Sequence, residues 1–168
     1  TNQNTIHSEL SYHSYIQCPS FDTLLPNLDE WVIKNNFELI NKAHKSGITL
    51  QQFKEDLINY LNSPAIANLF NFPKEKCVLL GKSLNAIDLP FLTRDLGWQF
   101  MREFFHHQVV DISSITRYLI DLEAIPEDCV SGSELSKYLN LGEVAHTALE
   151  DATQTAKQYF SLLEIARN

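Results

Sequence analysis

Two short apolar runs constrain this chain's fold more than any other feature: Cys77-Val78-Leu79-Leu80, ended by Gly81, and Val109-Val110, stopped at Asp111. Short unbroken runs without apolar–polar alternation are what strands covered on both faces require. A helical pattern follows each. Leu89, Leu92 and Leu96 form one stripe, with Pro90 tolerable in a first turn. Ser113 to Leu122 carries the other, with Ser113 or Asp111 placed to cap it. Strand-helix-strand-helix order predicts neighbouring parallel strands in an α/β or mixed sheet.

The first half reads as mostly helical. Ile6 to Cys18 has strand-like composition with partial alternation, closed by Pro19 and Ser20. Leu28 to Lys45 reads as one or two short helices. Thr49 and Gln52 have capping-box spacing, and Leu50, Phe53, Leu57, Tyr60 and Leu61 then repeat at helical intervals before Pro64. The last helix has a second capping box at Thr147 and Glu150, with Leu149, Ala152, Ala156, Phe160 and Leu163 on one face. His146 then lies just outside that helix and Asp151 in its first turns, so the two can converge beside its N-terminus.

At 168 residues, with no internal repeat or linker, the chain is expected to form a single domain over residues 1–168. No apolar run approaches the roughly 20 residues of a membrane span, and no basic-then-apolar leader opens the chain. A protein without a membrane partner is expected. Cys18, Cys77 and Cys129 are odd in number and far apart, with no CxxC pair. This argues against a disulfide framework or zinc knuckle and for a reducing, cytoplasmic setting. A net charge of −8 repels a long nucleic-acid backbone. Any nucleic-acid role must use few contacts, bound cations or a short substrate.

Asp88 and Asp151 occupy comparable places, each near a helix start. In an open α/β sheet, ligands gather beyond the carboxyl ends of strands, and carboxylates there can hold hard divalent cations through oxygen. An Asp in a first helical turn also complements the helix dipole whatever its function. His7, His13, His44, His106 and His107 show no metal-ligand spacing, since adjacent histidines point apart on a regular element. Trp31, Trp98 and Phe104-Phe105 read as core or partner-facing surface. No G-x-S-x-G, Walker-type loop or dinucleotide fingerprint is present.

The stretch Gly81-Lys82-Ser83-Leu84-Asn85-Ala86-Ile87-Asp88-Leu89-Pro90-Phe91-Leu92 resembles the second motif of DEDD-type 3′–5′ exonucleases, and His146-Thr147-Ala148-Leu149-Glu150-Asp151-Ala152 resembles the third motif of their DEDDh branch. Gly47-Ile48-Thr49 resembles the turn between the first and second motifs. Oligoribonucleases and polymerase proofreading exonucleases are the most similar members. The resemblance implies an RNase H-like mixed β-sheet flanked by helices, with His146 as general base and Asp88 and Asp151 as metal ligands. It further implies two Mg²⁺ or Mn²⁺ ions, and a reaction that releases nucleoside 5′-monophosphates from 3′ ends of short or single-stranded DNA or RNA. Asn85 and Phe91 would line the substrate site, although helical spacing favours Phe91 as core. The sequence leaves the oligomeric state open, a homodimer included.

The family's first motif, an Asp-x-Glu on the first strand, is missing. Period-two geometry would set that pair on one strand face. The one Asp-x-Glu present, Asp121-Leu122-Glu123, falls in or at the end of a predicted helix, where its carboxylates diverge by about 200°; it reads as a solvated face. The chain is therefore expected to be an exonuclease-like domain lacking its N-terminal strand, retained from a longer protein. The alternatives are a degenerate, catalytically inactive binding or scaffolding module of the same fold and an accidental likeness.

Overall fold

In the computed structural model, which describes residues 5–70, 75–142 and 147–167, the chain divides into two units. One is Tyr12–Phe72; the other joins Thr1–Ser11 to Pro73–Asn168.

The unit Tyr12–Phe72 is helical: α1 (Phe21–Leu24), α2 (Glu30–Asn35), α3 (Phe37–Ser46), α4 (Leu50–Leu61) and α5 (Pro64–Phe70). Side-chain caps set three of the starts. Ser20 accepts from the Thr23 amide at 3.3 Å, Asp29 from Trp31 at 2.8 Å and Thr49 from Gln52 at 3.1 Å. The capping box at Thr49 is half closed, because Gln52 donates to Asp56 Oδ1 at 2.8 Å instead of returning to the cap. Pro64 opens α5 as its first residue, where its missing N–H costs nothing.

The strand expected over Ile6 to Cys18 does not form. Ser8–Leu10 is a 3₁₀ turn, and the only ladder contact in the segment among the described residues is a parallel bridge between Ile16 and Ile48. Gln17 N–H donates to the Ile48 carbonyl, and Ile48 N–H to that of Tyr15, both at 2.8 Å. A Cβ on Gly47 would sit 2.6 Å from Gln17 N, so glycine is what permits the bridge.

The second unit holds β1 (Leu80–Gly81), α6 (Asp88–Leu96), α7 (Trp98–Phe104), β2 (Val110–Asp111), α8 (Ile112–Asp121), α9 (Gly132–Tyr138) and α10 (Ala148–Ile165). The expected parallel pair is present. Leu80 lies opposite Val110 and Gly81 opposite Asp111, with a further bridge from Cys77 to Phe105. The unit is thus an α/β arrangement, rich in helix around a small parallel sheet.

Its core gathers Ile112, Leu119 and Ile120 of α8 with Ile125, Cys129, Leu135 and the fully buried Leu162 of α10, and Leu80 packs against it. Burial of each large aliphatic side chain there contributes about 1.5–3 kcal/mol. Leu96, Phe100, Met101 and Phe104 are buried around α6 and α7, with the Phe100 and Phe104 rings 4.8 Å apart.

The expectation that both strands are covered on two faces fails. Val78 is 51% exposed, and no residue from Cys77 to Gly81 is fully buried. Successive strand side chains point to opposite faces. Leu80 enters the core, while Leu79 lines an open cavity with Val109. The buried face of α10 also differs from the expected one: Ala152 is exposed, and the core-facing residues are Gln158, Leu162 and Ile165.

Candidate functional site

The segment from β1 to α6 is held by hydrogen bonds that local sequence patterns do not disclose. Asp111 caps α8 by accepting from the Ser113 amide at 2.9 Å, and the same Oδ1 accepts from the Ser83 amide at 3.1 Å. Ser83 Oγ lies 3.0 Å from Ser113 Oγ, and the Ser83 amide also donates to that oxygen at 3.2 Å. These contacts hold Ser83 at φ 53°, a left-handed conformation uncommon for serine. The Ser83 carbonyl then accepts from Ala86 and Ile87, and Leu84 is buried against Gly81.

This turn delivers Asp88 as the first residue of α6. Its side chain is exposed and has no hydrogen-bond or ion-pair partner among the described residues. Phe91, one turn on, is 53% exposed, so the core reading from its spacing is wrong. The Arg94 guanidinium covers its ring at 4.8 Å.

At the start of α10, Thr147 Oγ1 accepts from the Glu150 amide at 3.3 Å and donates to Glu150 Oε2 at 2.5 Å. The cap is as the sequence predicts, but Glu150 takes the hydroxyl rather than the cap amide. Asp151 follows in the first turn, exposed and without a side-chain partner among the described residues. It lines a cavity of about 450 Å³ with Lys82, Ser131, Ser133, Gln154 and Gln158. Gln154 and the buried Gln158 both donate to Ser136 Oγ at 2.9 Å. The Lys82 ammonium lies beside the open face of Gly132.

Asp151 and Lys82 therefore share one cavity, and α10 packs against β1. Asn85 lines a second, larger cavity beside α6 and α7, which neither Asp88 nor Phe91 lines. His146 lies outside the described residues. Among the described residues, no group of three or more His, Cys, Asp or Glu could hold a metal ion. Asp88 and Asp151 are oxygen donors suited to hard cations, but two carboxylates do not make a two-ion site. The described residues thus do not complete the metal set that the resemblance implies.

His106 and His107 depart from expectation. They follow α7 in irregular backbone, so the rule for regular elements does not apply, and their rings stack at 4.4 Å along the larger cavity. Burial pushes the Cys77 and Cys129 thiols up, away from the thiolate a nucleophile needs. Asp121 pairs with Arg117 on an exposed surface, as a solvated helix face does. Among the described residues, no helix is long and apolar enough to cross a membrane. No protein-family model matches the chain, and no curated protein or solved structure matches it.

Proposed function

We propose that the chain is part of a DEDDh-type 3′–5′ exonuclease with an RNase H-like fold, acting on short or single-stranded DNA or RNA. The observation that carries this reading is the setting of its two carboxylates. Asp88 opens the helix after β1, and Asp151 lies in the first turn of the helix packed against β1. Helix starts beyond the carboxyl ends of parallel strands are where α/β sheets bind ligands.

In this reading His146 removes a proton from the attacking water, the general-base role that histidine takes most often. Asn85 and Phe91 contact the 3′-terminal nucleotide. The expected cofactor is a pair of Mg²⁺ or Mn²⁺ ions, for which Asp88 and Asp151 supply part of the ligand set. Turnover requires the carboxylate pair of the family's first motif as well, which the 168 residues do not contain.

The test is release of nucleoside 5′-monophosphates from a labelled oligonucleotide by the full-length protein with Mn²⁺. Asp88→Ala, His146→Ala and Asp151→Ala should each lower the rate at least about 100-fold while the circular dichroism spectrum is unchanged. Wild-type turnover by Asp151→Ala would sink the assignment. The second reading, an inactive binding module of the same fold, draws on the fact that Asp88 does not line the cavity of Asp151. It requires oligonucleotide binding with no product under any divalent metal and no heat of Mn²⁺ binding.

A further inference from the structure

Trp98 is 65% exposed at the start of α7, beside a cavity of about 950 Å³. That volume is at the upper end of the roughly 300–1,000 Å³ usual for small-molecule sites. The charge along this cavity runs against that of the chain. Lys76, Arg94 and Arg102 line it, and no Asp or Glu does among the described residues, although the sequence carries 21 acidic residues against 13 Lys and Arg.

The cations are not equivalent. Arg94 is tied to Asp95 by two hydrogen bonds, at 2.6 and 2.9 Å. Lys76 donates to the Arg102 carbonyl. The Arg102 guanidinium lies over the Trp98 ring, 5.7 Å from its centroid, and has no acidic partner among the described residues. The stacked imidazoles of His106 and His107 add a second flat surface.

Exposed flat rings beside fixed cations suit a ligand that alternates planar aromatic groups with anions, and a single nucleic-acid strand is such a ligand. Asn85 ties the cavity to the proposed site, because it belongs to the turn that delivers Asp88 and also lines this cavity. We propose that the cavity binds the nucleotides upstream of the 3′ end, stacking a base on Trp98 and holding phosphates with Arg102 and Lys76. The assignment of the strand's direction rests on the exonuclease reading; the binding itself does not. The chain then prefers a substrate several nucleotides long over a dinucleotide, and grips it without a long basic groove.

The experiment uses the full-length protein carrying Trp31→Phe, which leaves Trp98 as the one tryptophan of this sequence. Its fluorescence is followed during titration with an oligothymidylate of about eight nucleotides and with a thymidine dinucleotide, both in EDTA. The longer strand should quench Trp98 and the dinucleotide should not. Arg102→Gln and Arg102→Glu, at an exposed position of α7, should weaken binding of the longer strand about tenfold or more. Quenching without hydrolysis by the parent protein supports the cavity assignment and defeats the exonuclease reading. Hydrolysis without quenching, at the same length dependence in Arg102→Glu, overturns the cavity assignment alone. Fluorescence that tracks protein concentration and not oligonucleotide gives the cavity to a second copy of the chain, and overturns it too.

Discussion

Thr116 lies on the inner face of α8, 3% exposed, and its hydroxyl has no hydrogen-bond partner among the described residues. A helical threonine ordinarily turns its hydroxyl to the carbonyl one turn back. A buried hydroxyl left unpaired forfeits about 1–3 kcal/mol of hydration, and the hydrophobic neighbours Leu119 and Ile120 offer nothing in return. Valine keeps the branched shape and removes the debt. Thr116→Val should therefore stabilise the protein by about 1 kcal/mol, seen as a rise of roughly 2–4 °C in melting temperature. A lower melting temperature would mean that the hydroxyl has a partner after all. Gln158 is the contrasting case. It is 4% exposed, yet its amide reaches Ser136 Oγ, so its burial is compensated.

At the scale of elements, Asp111 joins three of them: it ends β2, caps α8 and holds the turn between β1 and α6 through Ser83. Alanine there removes the one oxygen that accepts both hydrogen bonds. Asp111→Ala should cost about 1–2 kcal/mol of stability, which a urea midpoint measures. If the exonuclease reading is correct, it also lowers turnover, because the turn that aims Asp88 loses its anchor. Asp111→Asn keeps an acceptor oxygen and should restore most of both; if it behaves like alanine, charge rather than hydrogen bonding is at work. The caps of α4, α8 and α10 were legible in the sequence because a cap is a contact between residues two or three apart. The parallel pair was legible from apolar runs stopped at Gly81 and Asp111. What the sequence hid is non-local. A strand over Ile6 to Cys18 needs a partner along its length, and among the described residues the one ladder partner it meets is Ile48. The inner face of α10 carries Gln154 and Gln158, bound to a serine far away in sequence, so a search for apolar stripes selected the wrong face. The site divides in the same way: helix starts located Asp88 and Asp151, whereas the Ser83–Asp111–Ser113 anchor and the Trp98 cavity depend on partners many residues distant.

For the whole molecule, the net charge of −8 and the cationic cavity make opposed demands on a nucleic-acid partner. Each phosphate neutralised on a single strand contributes about −0.7 to the slope of log K against log salt. Lys76 and Arg102 supply up to two such contacts, and Arg94 a third only where it loosens from Asp95. The slope for an oligothymidylate should then fall between about −1.4 and −2.1. The acidic remainder of the surface repels the strand, and salt screens that repulsion as well, which pushes the slope toward the shallow end. Stacking on Trp98 is insensitive to salt, so binding should persist at high ionic strength with only this modest loss. Arg102→Gln should make the slope shallower by about 0.7, whereas Trp98→Ala should lower the affinity at every salt concentration and leave the slope unchanged. A slope steeper than about −4 would require more neutralised phosphates than the cavity has cations, and would move the strand to a different surface of the protein.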